Sequence, residues 1–198
     1  MTKLVWAFLS ILAGALMGLG LTAMSVENSP GFALVKSGAW VARPRVGSVD
    51  ADPYSKAFLA TRGEVPMGAA EGLMITATRD DMGDLLDIRC TYRLSGPVPS
   101  ARYWTLAVHD SRERGPSESA LRTSYTSAEV LRLSNTPVSI MISAEPQPGN
   151  WIPLPAMQPK SSYHSFEVAL RLYDAQVSTN AYALDAATVP KIIRETCR

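Results

Sequence analysis

The chain has 198 residues, enough for one domain with a sizeable core plus an appendage, since domains commonly run to about 100 to 200 residues. Its 19 Lys and Arg are matched by 18 Asp and Glu, so it lacks the basic excess that condenses on phosphates, and no nucleic acid partner is expected.

The balance hides an uneven distribution. No ionisable side chain lies between Lys3 and Glu27, and the 23 residues from Leu4 to Val26 are apolar nearly throughout. A hydrocarbon core about 30 Å thick needs about 20 helical residues at 1.5 Å each, whereas a buried helix in a small soluble domain would keep a polar face. Residues 1–26 are therefore read as a single transmembrane signal-anchor. A cleaved signal peptide is the competing reading, but its apolar region usually runs to about 7 to 15 residues before a small-x-small site. The nearest such site ends at Ala23, with Leu21 where a small residue is required. Lys3 before the span and Lys36, Arg43 and Arg45 after it do not favour an outside C-terminus by charge counting. Long following domains translocate largely regardless of charge, so the bulk of the chain is expected outside the cytoplasm. Within the span, Gly14 and Gly18 form a GxxxG pair at which two helix backbones could approach, giving a homo-oligomer.

Residues 27–39 mix turn formers with a few apolar residues and read as a linker. The folded part, 40–198, opens with a helix: Asp52 suits the N-cap, Pro53 the first helical position and Gly63 the left-handed exit. Tyr54, Ala57, Phe58 and Thr61 fall on one face of it.

After this helix the period changes to two. Leu73 to Thr78 reads as a strand, Asp81 to Gly83 as a turn, and Leu86 to Leu94 as a second strand with one wet face, so the two are expected to form an antiparallel hairpin. "ARYWTLAVHD", "TPVSIMISA" and "YHSFEVALRLYD" repeat the pattern; in the last, Phe166, Val168, Leu170 and Leu172 share a face. Between them, "SRERGPSESALRTSYTS" reads as an exposed excursion of the kind that often carries function. "TSAEVLRLSN" suits either a capped helix, through Thr126 and Glu129, or a strand. Strands joined by Gly and Pro turns give an all-β domain: an antiparallel β-sandwich or jelly-roll-like barrel with one or two short helices.

Cys90 and Cys197 are the only cysteines. An oxidising compartment would permit a bridge worth about 4 to 5 kcal/mol in the chain-entropy model; two unpaired thiols are the alternative. Their spacing does not suit zinc, and no metal or cofactor is expected.

Catalytic signatures are scarce, because neither a nucleophile elbow nor a Gly-rich phosphate loop occurs. A cluster of His109, Asp110 and Glu113 with His164 could supply a general base, but these residues also suit a plain strand edge. Asp80, Asp81 and Asp84 crowd around Gly83 as a solvated turn would. A more pointed set is Trp104, Asn150, Trp151, Arg171 and Tyr173, an aromatic wall with an arginine and an amide that could bind a polar ligand. In "GNWIPLP" the prolines bar a helix or an inner strand, so Trp151 serves either to cap the fold or to face a ligand.

"DPYSKAFLA", "DDMGDLL", "ARYWTLAVHD", "NWIPLP" and "ALRLYD", in this order, resemble the bacterial family called domain of unknown function 1214, from about Trp40 to the C-terminus. The resemblance implies an all-β domain and no agreed activity. In longer relatives this domain follows another, called domain of unknown function 1254, whose place is expected to be taken here by the anchor and linker. The resemblance thus implies a bacterial inner-membrane protein whose periplasmic β-domain meets a separate companion chain. The leading expectation is a non-enzymatic envelope module that docks with a partner protein. The alternative is an enzyme or small-molecule receptor with a pocket lined by Trp104, Asn150, Trp151 and Arg171.

Overall fold

The structure, a computed structural model, describes residues 2–27, 34–44, 46–62, 65–68, 70–110, 122–132, 136–154, 164–175 and 184–197. Helix α1 (Thr2–Glu27) contains the apolar run and is long and apolar enough to cross a membrane. Two hydroxyls inside that run are satisfied within the helix, Ser10 donating to the Trp6 carbonyl and Thr22 to that of Gly18.

Two sheets pack face to face. One has six strands in the order β1-β2-β3-β9-β5-β6 and contains β1 (Val35–Ser37), β2 (Trp40–Ala42), β3 (Gly72–Ala77), β5 (Ala101–Asp110), β6 (Ser124–Thr126) and β9 (Phe166–Ala175). The other has four strands in the order β10-β4-β7-β8: β4 (Cys90–Gly96), β7 (Val138–Ser143), β8 (Trp151–Pro153) and β10 (Lys191–Cys197). Alternation places Trp40, Ile75, Leu106, Phe166, Val168, Leu170 and Leu172 of the first sheet against Tyr92, Leu94, Ile140, Ile142, Ile152 and Ile192 of the second, all buried. The all-β expectation holds. The second sheet is mixed, because β8 runs parallel to β7 at an edge where Pro153 leaves no inner hydrogen bond unmade.

Helix α2 (Pro53–Arg62) begins as expected, with Asp52 Oδ1 accepting the Ser55 N–H at 3.0 Å. Gly63 lies outside the described residues. The buried face differs from the expected one: Phe58 and Leu59 are buried, while Tyr54 and Thr61 are exposed. The helix is therefore buried along its 58–59 edge, with Leu59 beside Val41 of β2 and Met74 and Thr76 of β3, while Tyr54 and Thr61 lie at the exposed rim of that edge.

The β3–β4 hairpin does not form. β3 pairs with β2 and β9, whereas β4 pairs with β10 and β7 in the other sheet, and only an isolated antiparallel bridge between Arg79 and Leu85 remains of the pairing. Asp87 causes the break. Its side chain accepts the Arg89 N–H at 2.8 Å and its carbonyl the Cys90 N–H at 3.0 Å, so a turn interrupts the alternating run and passes the chain to the opposite sheet. In "TSAEVLRLSN" neither reading holds in full: β6 ends at Thr126 and one turn follows, with Thr126 Oγ1 donating to Glu129 Oε2 at 2.9 Å. Of the long excursion, 111–121 lie outside the described residues.

Candidate functional site

The five ligand candidates are not brought to one place. On β5, Trp104 is buried in the core opposite Leu172, and the neighbouring register pair, Thr105 with Arg171, points to the other face of the sheet. Asn150 and Trp151 sit on the four-stranded sheet, at and just before β8. Asn150 is buried with its amide fully engaged: Nδ2 donates to the carbonyls of Leu131 (2.8 Å) and Ser139 (2.9 Å), and Oδ1 accepts the Leu131 N–H (2.7 Å). Gly149, at φ +80°, supplies the left-handed turn that aims it there.

Trp151 is half-buried. Its indole N–H donates to Ser143, with both the carbonyl and Oγ at 3.1 Å, and its backbone N–H donates to the Tyr125 hydroxyl across the sandwich at 3.1 Å. Asn150 and Trp151 together form a clasp joining β6, β7, β8 and the 131 loop. Their polar atoms are used by the fold.

A second cluster lies at the opposite edge of the four-stranded sheet, on β10, and the sequence did not disclose it. The carboxylate of Asp80 is buried, its Oδ1 accepting the N–H groups of Met82 and Asp84 at 3.0 Å each, and its Oδ2 lying 2.9 Å from Arg194 Nη2. Arg194 also reaches Asp84 Oδ2 at 3.3 Å and the Leu85 carbonyl at 3.2 Å, and its guanidinium lies 5.7 Å above the Tyr92 ring. Burial raises the Tyr92 phenol above its ordinary range. Asp81 ties itself to Ile192 on β10 twice, its backbone N–H donating to the Ile192 carbonyl and its carboxylate Oδ2 accepting the Ile192 N–H. The acidic turn is thus a dock for the C-terminal strand, and Gly83, at φ +93°, gives it its tight shape. Beside it Asp87 is held below the usual carboxylate range by its hydrogen bonds from Arg89. At the far end of β10 a disulfide joins Cys197 to Cys90, 107 positions away.

The two histidines of the candidate general-base cluster lie on β5 and just before β9. His109 stands opposite Glu167 in register, and His164 precedes β9 with its carbonyl bonded to the Ile88 N–H at 2.7 Å. The Asp110 side chain and Glu113 lie outside the described residues. Among the described residues no three His, Cys, Asp or Glu side chains are grouped to hold a metal.

Arg171 and Tyr173 occupy the outer face of the six-stranded sheet. Tyr173 pairs in register with Tyr103, the rings 6.0 Å apart and 38% and 36% exposed for Tyr103 and Tyr173, respectively. Arg171 lies two residues before Tyr173 on the same face, between Met74 of β3 and Thr105 of β5. No hydrogen bond or ion pair engages its side chain among the described residues. Towards β2 the same face is covered by the segments at 43–44, 46–47 and 66–67 together with Leu59 of α2, leaving a partly open cavity of about 30 Å³ between them and Val41, Met74 and Thr76. That is room for a water molecule or two, not for an organic ligand. Gly14 and Gly18 lie on the open surface of α1, where an added Cβ would meet no atom within 4 Å.

A family model described as protein of unknown function (DUF1214) matches residues 71–177. No curated protein matches the sequence. Among solved structures, the VPA0106 protein from Vibrio parahaemolyticus is similar over 74% of this chain and 36% of its own, with 18% identity and a TM-score of 0.53, a likeness of fold. An uncharacterized protein from Burkholderia cenocepacia matches over 78% of this chain and 46% of its own, with 19% identity and a TM-score of 0.38. The chain thus spans 36% and 46% of the lengths of these two proteins.

Proposed function

This chain belongs to the DUF1214 family of proteins of unknown function, and from that premise we propose that it is a single-pass docking module of the bacterial cell envelope. In this reading α1 stays in the inner membrane, the β-sandwich stands in the periplasm, and the outer face of the six-stranded sheet receives a partner protein.

The observation that carries the reading is the patch of Tyr103, Arg171 and Tyr173. Tyrosine and arginine are among the side chains most enriched at the energetic centres of protein interfaces, and here a pair of tyrosines stands one row along the sheet from an arginine with no partner of its own among the described residues. Two further facts support the setting. The Cys90–Cys197 bridge suits an oxidising compartment, and α1 is long and apolar enough to cross a bilayer. In the Vibrio protein the matched region is 36% of the chain, so a fold of this kind shares a polypeptide there with further sequence. The partner is taken to be a second chain that supplies a companion domain of that kind.

The test is affinity recovery of the full-length tagged protein from its native membrane after brief crosslinking, in parallel with Arg171→Ala and Tyr173→Ala. The expected result is one stoichiometric companion protein, lost from both variants while their thermal stability is unchanged. Recovery that is indifferent to both substitutions would reject the patch as the docking site.

A further inference from the structure

We propose that α2 and the segments beside it rest on the bilayer surface, with Val49, Tyr54 and Val65 at the boundary between headgroups and acyl chains and Lys36 and Lys56 against anionic headgroups. The inference rests on the reading of α1 as a retained anchor.

Position is the first support. The apolar run from Leu4 to Val26 would be about 34 Å long as a helix, which matches a hydrocarbon core of about 30 Å and brings its last residues to the membrane boundary. Along α1 the side chains are exposed up to Met24, and only Ser25 and Val26 become half-buried. The folded element that α1 meets is α2. A helix packed against the end of a membrane span lies at headgroup level by construction.

Chemistry is the second. α2, PYSKAFLATR, contains no carboxylate. Its inward edge is Phe58 and Leu59, while Tyr54, Lys56, Ala60 and Thr61 are exposed. Tyrosine and lysine are the residues that settle at membrane interfaces, the one by its amphipathic ring and the other by its long stem. On the flanks Val49 is 91% exposed and Val65 88%, and Lys56 Nζ lies 3.5 Å from the Val49 carbonyl, which joins one flank to the helix. Gly47 on one flanking segment also abuts Met67 on the other. Single exposed valines are unremarkable on a soluble surface, but these two flank in sequence the helix that α1 meets. Lys36, exposed on β1, shares this side of the sheet, since its register partner Val41 borders the cavity under α2. From 34 to 68 the sequence carries Lys36, Arg43, Arg45, Lys56 and Arg62 against Asp50, Asp52 and Glu64, a net positive stretch next to the membrane.

Such seating removes the freedom of a domain tethered by a short linker. It also fixes the neighbouring Tyr103, Arg171 and Tyr173 patch close to the bilayer, where a membrane-bound partner would meet it.

The experiment uses the full chain in lipid nanodiscs containing phosphatidylglycerol, spin-labelled at Val49→Cys or Val65→Cys, with Met82→Cys and Leu131→Cys as controls at exposed positions away from α2. The native cysteines are bridged and take no label. Labels at 49 and 65 should collide with oxygen several-fold more, and with a water-soluble nickel chelate several-fold less, than those at 82 and 131. Equal accessibility at all four positions, with the protein present in the discs, would overturn the proposal and leave the anchor intact. Failure of the protein to enter the discs would instead overturn the anchor reading and this inference with it. Lys36→Glu with Lys56→Glu should reduce immersion at 49 and 65; unchanged immersion would refute the headgroup contact.

Discussion

Removing the Asn150 amide tests whether the GNWIPLP segment serves the fold. Asn150→Ala deletes three hydrogen bonds at once, to the Leu131 N–H, the Leu131 carbonyl and the Ser139 carbonyl, all between 2.7 and 2.9 Å. A buried hydrogen bond is worth about 1 kcal/mol net, so the loss should be about 3 kcal/mol, rising if the abandoned backbone groups stay dry. In a domain of this size that lowers Tm by about 6 to 12 °C. The assay is urea unfolding of the full chain in mild detergent followed by tryptophan fluorescence, with the midpoint falling and the slope unchanged. Asn150→Asp sharpens the test, because a carboxylate would face the Leu131 and Ser139 carbonyls. Its folded-state pKa would rise, so this variant should lose further stability as pH climbs above about 4. A change below about 1 kcal/mol for Asn150→Ala would refute the clasp and return Asn150 and Trp151 to the list of ligand contacts.

Three other outcomes follow from the same geometry. Reducing the Cys90–Cys197 bridge, or making Cys197→Ser, should cost about 4 to 5 kcal/mol in the chain-entropy model, read from urea midpoints with and without reductant; no shift would mean that the denatured chain is restrained by other means. Arg194→Met should cost about 2 to 3 kcal/mol, somewhat below the usual figure for breaking a buried ion pair because the guanidinium is partly exposed, and clearly more than Asp84→Asn; equal losses would contradict the buried role of Asp80. Asp87 has a folded-state pKa below its ordinary 3.8, so its contribution is full above that value and fades as pH falls through the lowered one. Asp87→Asn should accordingly flatten the acid limb of a stability-versus-pH curve, and an unchanged limb would count against the Arg89 contact.

Much of the architecture was legible because alternation survives in a strand whose one face meets the core. β5, β7 and β9 stand where their patterns put them, and Phe166, Val168, Leu170 and Leu172 do share a face. Pairing was not legible. The Leu86 to Leu94 run alternates without a break in composition, yet Asp87 turns it between sheets, and only the side-chain hydrogen bond to the Arg89 N–H reveals the turn. β10 carries little apolar pattern because its outward residues include Lys191, Glu195 and the bulge after Arg194, so neither the strand nor the Asp80–Arg194 pair showed in the sequence. The candidate site divides in the same way. Residue type drew Trp104, Asn150, Trp151, Arg171 and Tyr173 together, and register then separated them, putting Trp104 in the core and Arg171 on the outer face. Tyr103 went unnoticed because its significance lies in its partner on β9, a contact that register alone supplies.

The docking reading is tested most directly at one side chain. A photo-crosslinking amino acid placed at Tyr173 in the full-length protein, and at Leu131 as an exposed control away from the patch, is irradiated in living cells and the adducts are identified. The account predicts one dominant adduct from position 173 to a membrane-associated companion protein and none to that protein from position 131. Adducts to the same companion from 131 but not from 173, or no protein adduct from 173 at all, would contradict it.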